Sequence, residues 1–465
     1  MINSNQFQII APVLNWRDRI DFLLRKVNSV YFLAPLTSIL FLLTLPPFRQ
    51  SWIAAIAIVP LLLLMNVKNS FSKNFIIGIL IYLPYVGLFL SWLLKYDFLN
   101  FLDALISCSL FLGLFLSFSC LILKRFPKNL VLHFLIPPIV WVTISFIYDL
   151  TPLSGVVNQL LFYQTMEWMQ ICHYFGIYGI VFLFLLFNSS IAVIFKFHSW
   201  KKFIPLFLSS LLLMANFLYG KHVLTSTFAG EHKVALIQHN LPIDEIWRAK
   251  NSSMILSRYR SLALEAAKEK PEVIIFPSYT MPFDPYRSTG FFSDLAKETG
   301  AFLIVSTFIP KVPDRTIDEA GQYEVALLFS PTDGLIALDK AVEGPPFRKI
   351  HQVLAKETQV LNTPLGKVGT LLCFEDVLAR RAKEEVKLGA DILVALSNPG
   401  HFTKTFMPGY HLYQDQLRAI ETGKPVIRVS ANGYSAIIDP RGRVIAKTEL
   451  GKQQILYGFV PKLQN

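Results

Sequence analysis

Seven apolar runs crowd the first 220 residues of this chain, and nothing resembling them follows. They are Val30–Leu45, Trp52–Met65, Phe75–Leu94, Ala104–Leu123, Leu130–Tyr148, Phe175–Phe195 and Phe203–Tyr219. A membrane-crossing helix needs about 20 apolar residues, within a usual range of about 17 to 25. The third to seventh runs meet that length. The first two are short and meet at Pro46-Pro47, as expected of tilted helices or a helical hairpin. A buried core helix explains one such run, but not five in series. With 53% apolar and 16% charged residues among 465, and a mean hydropathy of +0.45, the chain is neither disordered nor an ordinary cytosolic globule. The first run lies behind some 29 residues and has no small-residue cleavage site, so a removable signal peptide is not expected.

The net charge of +12 invites a nucleic-acid reading, but the placement of the charges argues against it. Basic residues gather in the N-terminal stretch (Arg17, Arg19, Arg25, Lys26) and in alternate connections (Lys68 and Lys73; Lys124, Arg125 and Lys128; Lys196, Lys201 and Lys202). The other connections hold Arg49, then Lys95, then none. By the positive-inside rule the basic set faces the cytoplasm, and an odd number of crossings puts everything beyond Tyr219 outside. The expected organisation is a cytoplasmic amphipathic tail over residues 1–29, a transmembrane helical domain over 30–220 and an extracytoplasmic domain over 230–465. The stretch Thr151–Tyr174 has no basic residue but carries Phe162, Tyr163, Trp168 and Tyr174. These rings suit either the headgroup level or a packing platform for the outer domain.

From Lys233 onward, short β-branched runs such as Val234–His239, Val273–Phe276, Val325–Phe329, Val368–Leu372 and Ile392–Leu396 alternate with helical stretches such as Ser252–Lys268 and Tyr413–Thr422. That alternation predicts a layered α/β domain. Asp439-Pro-Arg-Gly442 reads as a turn between two of its strands.

Of four cysteines, Cys108 and Cys120 lie in the fourth run, where a small apolar role is expected. Cys172 falls in an outer connection, and a Cys172–Cys373 bridge would need close approach of the two backbones. Cys373 ends the run Val368–Leu372 and precedes Phe374-Glu375-Asp376. A thiol at a strand-to-helix elbow has backbone N–H groups that lower its pKa and hold an oxyanion. The plain alternative is a buried structural cysteine. The nine histidines form no HExxH pattern and the cysteines no paired spacing, so no metal is expected, and a cysteine elbow needs no organic cofactor.

The segment Gly366-Lys-Val-Gly-Thr-Leu-Leu-Cys-Phe-Glu375 resembles the nucleophile elbow of the carbon–nitrogen hydrolase (nitrilase) superfamily. Gly389–Asn398, Arg418–Pro425, Asn432-Gly-Tyr-Ser435 and Asp439-Pro-Arg-Gly442 follow in the order of that superfamily's later blocks. Val234–Asn240 followed by Trp247 is similar to the opening strand of one membrane-bound branch, and Leu45-Pro-Pro-Phe48 with Val59-Pro-Leu61 to that branch's first hairpin. The branch is apolipoprotein N-acyltransferase, and the resemblance runs from about Leu43 to Val460. It implies a nitrilase-like αββα sandwich behind about seven transmembrane helices, set in the bacterial inner membrane. It implies acyl transfer from a phospholipid donor, through a cysteine thioester, to a diacylglyceryl apolipoprotein acceptor.

The resemblance also implies site residues. Cys373 is the nucleophile, Lys340 the family lysine and Glu375 a supporting glutamate. The family's general base belongs in a Trp-Pro-Glu motif, but this chain has Phe276-Pro277-Ser278. A serine hydroxyl does not take a proton near neutral pH as a carboxylate does. Glu343 and Asp284, in flanking loops, are candidates to fill that place. The segment Ala341–Lys349 departs from the family pattern, with Arg348-Lys349 where Gly-Glu is usual, and His401 stands where a Trp is usual. The family's last helix, after the catalytic domain, is not expected here. Two other readings remain open at this point: an impaired or repurposed homologue that binds lipid or lipoprotein, and an amidase of the same superfamily.

Overall fold

The computed structural model describes residues 30–45, 48–65, 69–95, 98–151, 164–242, 246, 252–280, 285–310, 322–341, 355, 357–400 and 403–463. Its N-terminal part is a helical unit: α1 (Val30–Thr44), α2 (Val59–Leu64), α3 (Phe71–Leu90), α4 (Phe98–Leu123), α5 (Leu130–Asp149), α6 (Ile177–Lys196) and α7 (Phe203–Val223). Among the described residues, five helical stretches are long and apolar enough to cross a membrane, containing α3 to α7. Each of the seven expected spans thus has a helical counterpart, but the first two fall short of crossing length.

The second span differs most from expectation. A 3-10 turn over Ser51–Ala55 and the short α2 replace a continuous helix. The break is held from outside: the Asn188 side chain of α6 accepts from the Ile58 N–H at 3.0 Å and donates to the Ala54 carbonyl at 2.9 Å. Irregular backbone survives in an apolar setting when such a side chain meets its polar groups. Helices α3 and α4 approach closely because both have glycine at the crossing. A Cβ at Gly78 would lie 2.5 Å from the Leu112 carbonyl oxygen, and one at Gly113 2.9 Å from that of Phe75. Small residues at a crossing allow such close packing.

The C-terminal part holds two six-stranded sheets, ordered β12-β1-β2-β3-β4-β5 and β11-β10-β9-β8-β7-β6. The strands are β1 (Phe228–Gln238), β2 (Val273–Ile275), β3 (Phe302–Pro310), β4 (Gln322–Ser330), β5 (Gly334–Lys340), β6 (Leu361–Thr363), β7 (Gly366–Leu372), β8 (Ile392–Ser397), β9 (Val426–Ser430), β10 (Ala436–Ile438), β11 (Val444–Lys447) and β12 (Gln454–Leu463). One buried cluster, including Val234, Ile275, Ala326, Leu328, Val368, Leu372 and Val394, lies between the sheets. Helices α8 (Ser252–Ala267) and α9 (Pro285–Thr299) cover the first sheet through a second cluster. The second sheet is covered by α10 (Ala379–Lys387) and α11 (Met407–Thr422). This is the αββα sandwich expected from the sequence.

Helix α11 serves two masters in packing. Leu412 and Ala419 face the second sheet, while Met407, Tyr410, Tyr413, Leu417 and Ile420 join the apolar cluster of the helical unit. Phe89 at the end of α3 stacks on Phe406 at 5.5 Å and meets Tyr410 edge-on at 5.7 Å. Polar contacts add to the seam: Arg380 donates to the Asp149 carbonyl at 2.7 Å, and the Gln164 N–H donates to the Tyr413 hydroxyl at 3.1 Å. Trp168 packs against Phe184 and Phe217, whereas Tyr174 is exposed, so the outer aromatics divide between packing and surface. All four cysteines are free thiols, Cys172 included.

Candidate active site

Strand β7 delivers Cys373 to the end of the second sheet. Along it Val368 and Leu372 face the inter-sheet space and Leu371 the helices, the two-residue alternation of a strand. Gly369 lets the strand pass under α10, since a Cβ there would lie 2.6 Å from the Glu385 Cβ. Cys373 then takes a left-handed backbone with φ +52, and a 3-10 turn runs on to Val377. A non-glycine residue in that region is strained by about 1–3 kcal/mol and persists only where its surroundings over-determine it.

Those surroundings are two buried acids beside the cysteine. Glu375 accepts the Leu372 N–H at 3.0 Å through one oxygen and the Arg381 Nε at 3.1 Å through the other. Asp376 takes His411 Nδ1 at 2.7 Å and Arg428 Nη1 at 2.8 Å. Burial would raise the Asp376 pKa, but His411 and Arg428 outweigh it and hold the carboxyl below its usual range. Both carboxylates are thus tied to the scaffold, and the elbow is rigid from behind. In front, Phe374, Val377 and Leu378 pack into the apolar cluster of the helical unit, leaving Cys373 half-buried at the seam.

The first sheet supplies the facing wall. After β2 the chain turns at Pro277-Ser278-Tyr279, and Tyr279 has φ +61. The Tyr279 hydroxyl donates toward Cys373 Sγ at 3.6 Å, so two strained residues from different sheets meet. Asn398, just past β8, donates to the Ser278 carbonyl at 3.4 Å and ties this corner to the strand beside the elbow. Ser278 is fully buried, and its hydroxyl donates to Glu324 Oε1 at 2.6 Å. Glu324, on β4, did not figure among the expected site residues. Its signal was available: one carboxylate at an alternate position of the otherwise apolar run Tyr323–Phe329.

Lys340 lies elsewhere. It ends β5, where it pairs with Val325, on the face that looks toward the helices of the first sheet. Its Nζ sits 4.5 Å from the centre of the Tyr323 ring, a cation–π arrangement. Its neighbour Asp339 faces the other sheet and accepts the Thr370 hydroxyl. Among the described contacts, Cys373, Tyr279 and Ser278 come together with Glu324, and Lys340 does not join them. Glu343, like Asp284, His401 and Trp247, lies outside the described residues.

The two-sheet sandwich thus carries a cysteine on a strained elbow with a tyrosine hydroxyl on its sulfur, and a buried serine–glutamate pair in the same corner of the first sheet as that tyrosine. Comparison with known families agrees: residues 233–462 match the carbon-nitrogen hydrolase family, and residues 37–190 match the apolipoprotein N-acyltransferase N-terminal domain. The chain belongs to the apolipoprotein N-acyltransferases. An apolipoprotein N-acyltransferase of Geobacter metallireducens is 23% identical, over 92% of this chain and 89% of the relative. One from Rickettsia typhi is 25% identical, over 77% of this chain and 76% of the relative. Among solved structures, a carbon-nitrogen hydrolase from Helicobacter pylori G27 is 17% identical with a TM-score of 0.41, covering 49% of this chain and 89% of that chain.

Proposed function

We propose that this protein moves an acyl chain from a phospholipid, through a thioester on Cys373, to the N-terminal amine of a diacylglyceryl-cysteine apolipoprotein. The observation that carries the reading is the seat of the elbow: Phe374, Val377 and Leu378, all within five residues of the thiol, pack against the membrane unit. A nucleophile for a small soluble amide has no need of that seat, whereas an ester carbonyl of a bilayer lipid is reached only there.

The chemistry follows from the groups present. The thiolate attacks the ester carbonyl, and backbone N–H groups at such an elbow are suited to hold the developing oxyanion. The Tyr279 hydroxyl donates to the sulfur and favours its ionised form. Glu375 acts on the elbow rather than on the substrate, by fixing the Leu372 N–H and Arg381. Lys340 is assigned the family lysine's part, and its ammonium would reach the site by leaving the Tyr323 ring at the end of β5.

Orientation is part of the same proposal. Helices α4 and α5 are joined through Lys124, Arg125 and Lys128, and α6 and α7 through Lys201 and Lys202. The sandwich docks at the opposite ends of these helices, where Asp149 of α5 meets Arg380. Positive-inside placement then puts the sandwich on the outer face of the bacterial inner membrane.

The test is acylation of the purified full-length protein in phospholipid vesicles. A hydroxylamine-labile acyl adduct that disappears in Cys373→Ala is expected. Release of ammonia from small amides with no adduct would instead identify an amidase. Lipid binding with neither product would identify a non-catalytic homologue.

A further inference from the structure

We propose that Glu324 is the proton acceptor of this site, acting through the Ser278 hydroxyl. The inference rests on the acyltransferase reading above. It concerns a carboxylate on β4, a strand remote in sequence from the elbow and from Ser278.

The placement comes first. Residues of β4 alternate, with Val325, Leu327 and Phe329 in the helix-side cluster and Ala326 and Leu328 in the inter-sheet cluster. Glu324 shares the second parity and is 1% exposed, so its carboxylate lies in the layer between the sheets. A buried carboxyl group without partners costs several kcal/mol. Here the Ser278 hydroxyl donates to it at 2.6 Å and supplies a polar partner.

With the carboxyl ionised, that bond sets the direction of proton flow. A serine hydroxyl has one proton to give and lone pairs to receive. With its proton directed at Glu324, Ser278 is left to accept, and Ser306 Oγ is its other described neighbour, at 3.5 Å. The corner that holds Ser278 also holds Tyr279, whose hydroxyl is 3.6 Å from Cys373 Sγ. In the proposed relay a proton leaving the thiol passes at this corner to Ser278 Oγ, while the serine's own proton passes to Glu324 Oε1. A serine alone makes a poor base; a serine backed by a buried carboxylate does not share that defect.

The step balances in both halves of the reaction. In acylation the S–H bond breaks and its proton passes through Ser278 to Glu324. The S–C bond forms at the ester carbonyl, the C–O bond to glycerol breaks, and the proton returns along the same path to the departing glycerol oxygen. In the second half the amine attacks the thioester, Glu324 takes the ammonium proton through Ser278, the C–S bond breaks, and the proton returns to the thiolate. Glu324 touches neither sulfur nor substrate, so it is a positioning and proton-holding residue.

The arrangement also decides what Ser278→Glu should do. Placing a carboxylate there sets two acids against one another, and like charges at that distance cannot both ionise. The single variant is therefore expected to lose activity, although it restores a family-like residue. The double variant Ser278→Glu/Glu324→Gln keeps one carboxylate and a neutral partner, and is expected to recover it.

The experiment measures the rate of hydroxylamine-labile acylation in full-length protein with phosphatidylethanolamine vesicles, from pH 5 to 9. Glu324→Gln and Ser278→Ala should each slow it by roughly 10²- to 10⁴-fold, the usual worth of general base catalysis. Both should leave the KM for vesicles unchanged and replace the acid-side limb of the pH profile by a rate that climbs with hydroxide. Glu324→Asp should retain part of the rate, and the double variant should exceed Glu324→Gln by at least tenfold. The proposal is overturned if Glu324→Gln stays within threefold of the parent with an unchanged pH profile. It is equally overturned if the double variant is no faster than Glu324→Gln. Should Glu324→Gln fail to fold, Ser278→Ala decides: a parental rate and profile there sink the relay. If the parent forms no adduct on Cys373, the acyltransferase reading fails first, and that outcome is distinct from the others.

Discussion

The two walls of the site are built in different ways. The cysteine's wall is local: Leu372, Cys373, Glu375 and Asp376 are consecutive or nearly so, and their braces Arg381, His411 and Arg428 come from the elements packed around that turn. The facing wall is assembled from Ser278 and Tyr279 after β2 and Glu324 on β4, with Lys340 at the end of β5. One wall holds a strained thiol rigid with charge pairs; the other carries a buried hydroxyl–carboxylate pair. A local wall tolerates little change because every member supports the same turn. A distributed wall allows a carboxylate to stand on a different strand while its contact stays at the same corner.

This comparison can be broken by substitution. The largest effect is expected at Arg381, which is buried between Glu375 and Glu385. Arg381→Met leaves two acids without their cation and should cost about 3–5 kcal/mol, read as a large drop in denaturation midpoint in detergent. An unchanged midpoint would mean the elbow is not braced as described. Lys340→Met comes next. If its ammonium enters the site to stabilise the oxyanion, acylation should fall by about 10²–10³-fold with little change in stability. A near-parental rate would remove the lysine from the reaction and leave it as a partner of Tyr323.

Phe89→Ala probes the seam between the two units rather than either wall. Losing the two ring contacts to Phe406 and Tyr410 removes about 0.5–1.5 kcal/mol each. Lipid acylation should slow while reaction with a small soluble thiol reagent does not. Equal slowing of both would show that the seam supports the whole fold and not lipid access.

The smallest effect concerns pH. Burial, with a further contribution from Asp339, pushes the Glu385 carboxyl from 4.5 up to about 7. A group with a raised folded-state pKa gives its full stabilisation below the unfolded value and loses it as pH rises through the folded one. Stability should therefore fall between about pH 4.5 and pH 7, and Glu385→Gln should flatten that slope in thermal unfolding across the window. An identical slope in the variant would assign it to another group.

Much of the fold was legible because its signals are local. Long apolar runs become helices wherever lipid or core surrounds them, and the alternation in Val368–Leu372 places Cys373 at a strand end without further help. The break in the second span was not legible, since it depends on Asn188, some 130 residues away. Strand β5 escaped because it sits at a sheet edge with Leu335 and Ile336 both exposed, so its apolar run Leu335–Leu338 shows no one-sided alternation. Ser278 was recognised as a departure, but its partner could not be read, because a strand's register and facing decide whether Glu324 points at β2 or at solvent. The side of β5 on which Lys340 lies was hidden for the same reason.

The most direct measurement is the intact mass of the full-length protein after incubation with a phospholipid of defined acyl chains. One added acyl group is expected, removable by hydroxylamine, localised to the peptide carrying Cys373 and absent in Cys373→Ala. An adduct that survives in that variant, or that resists hydroxylamine, would contradict it.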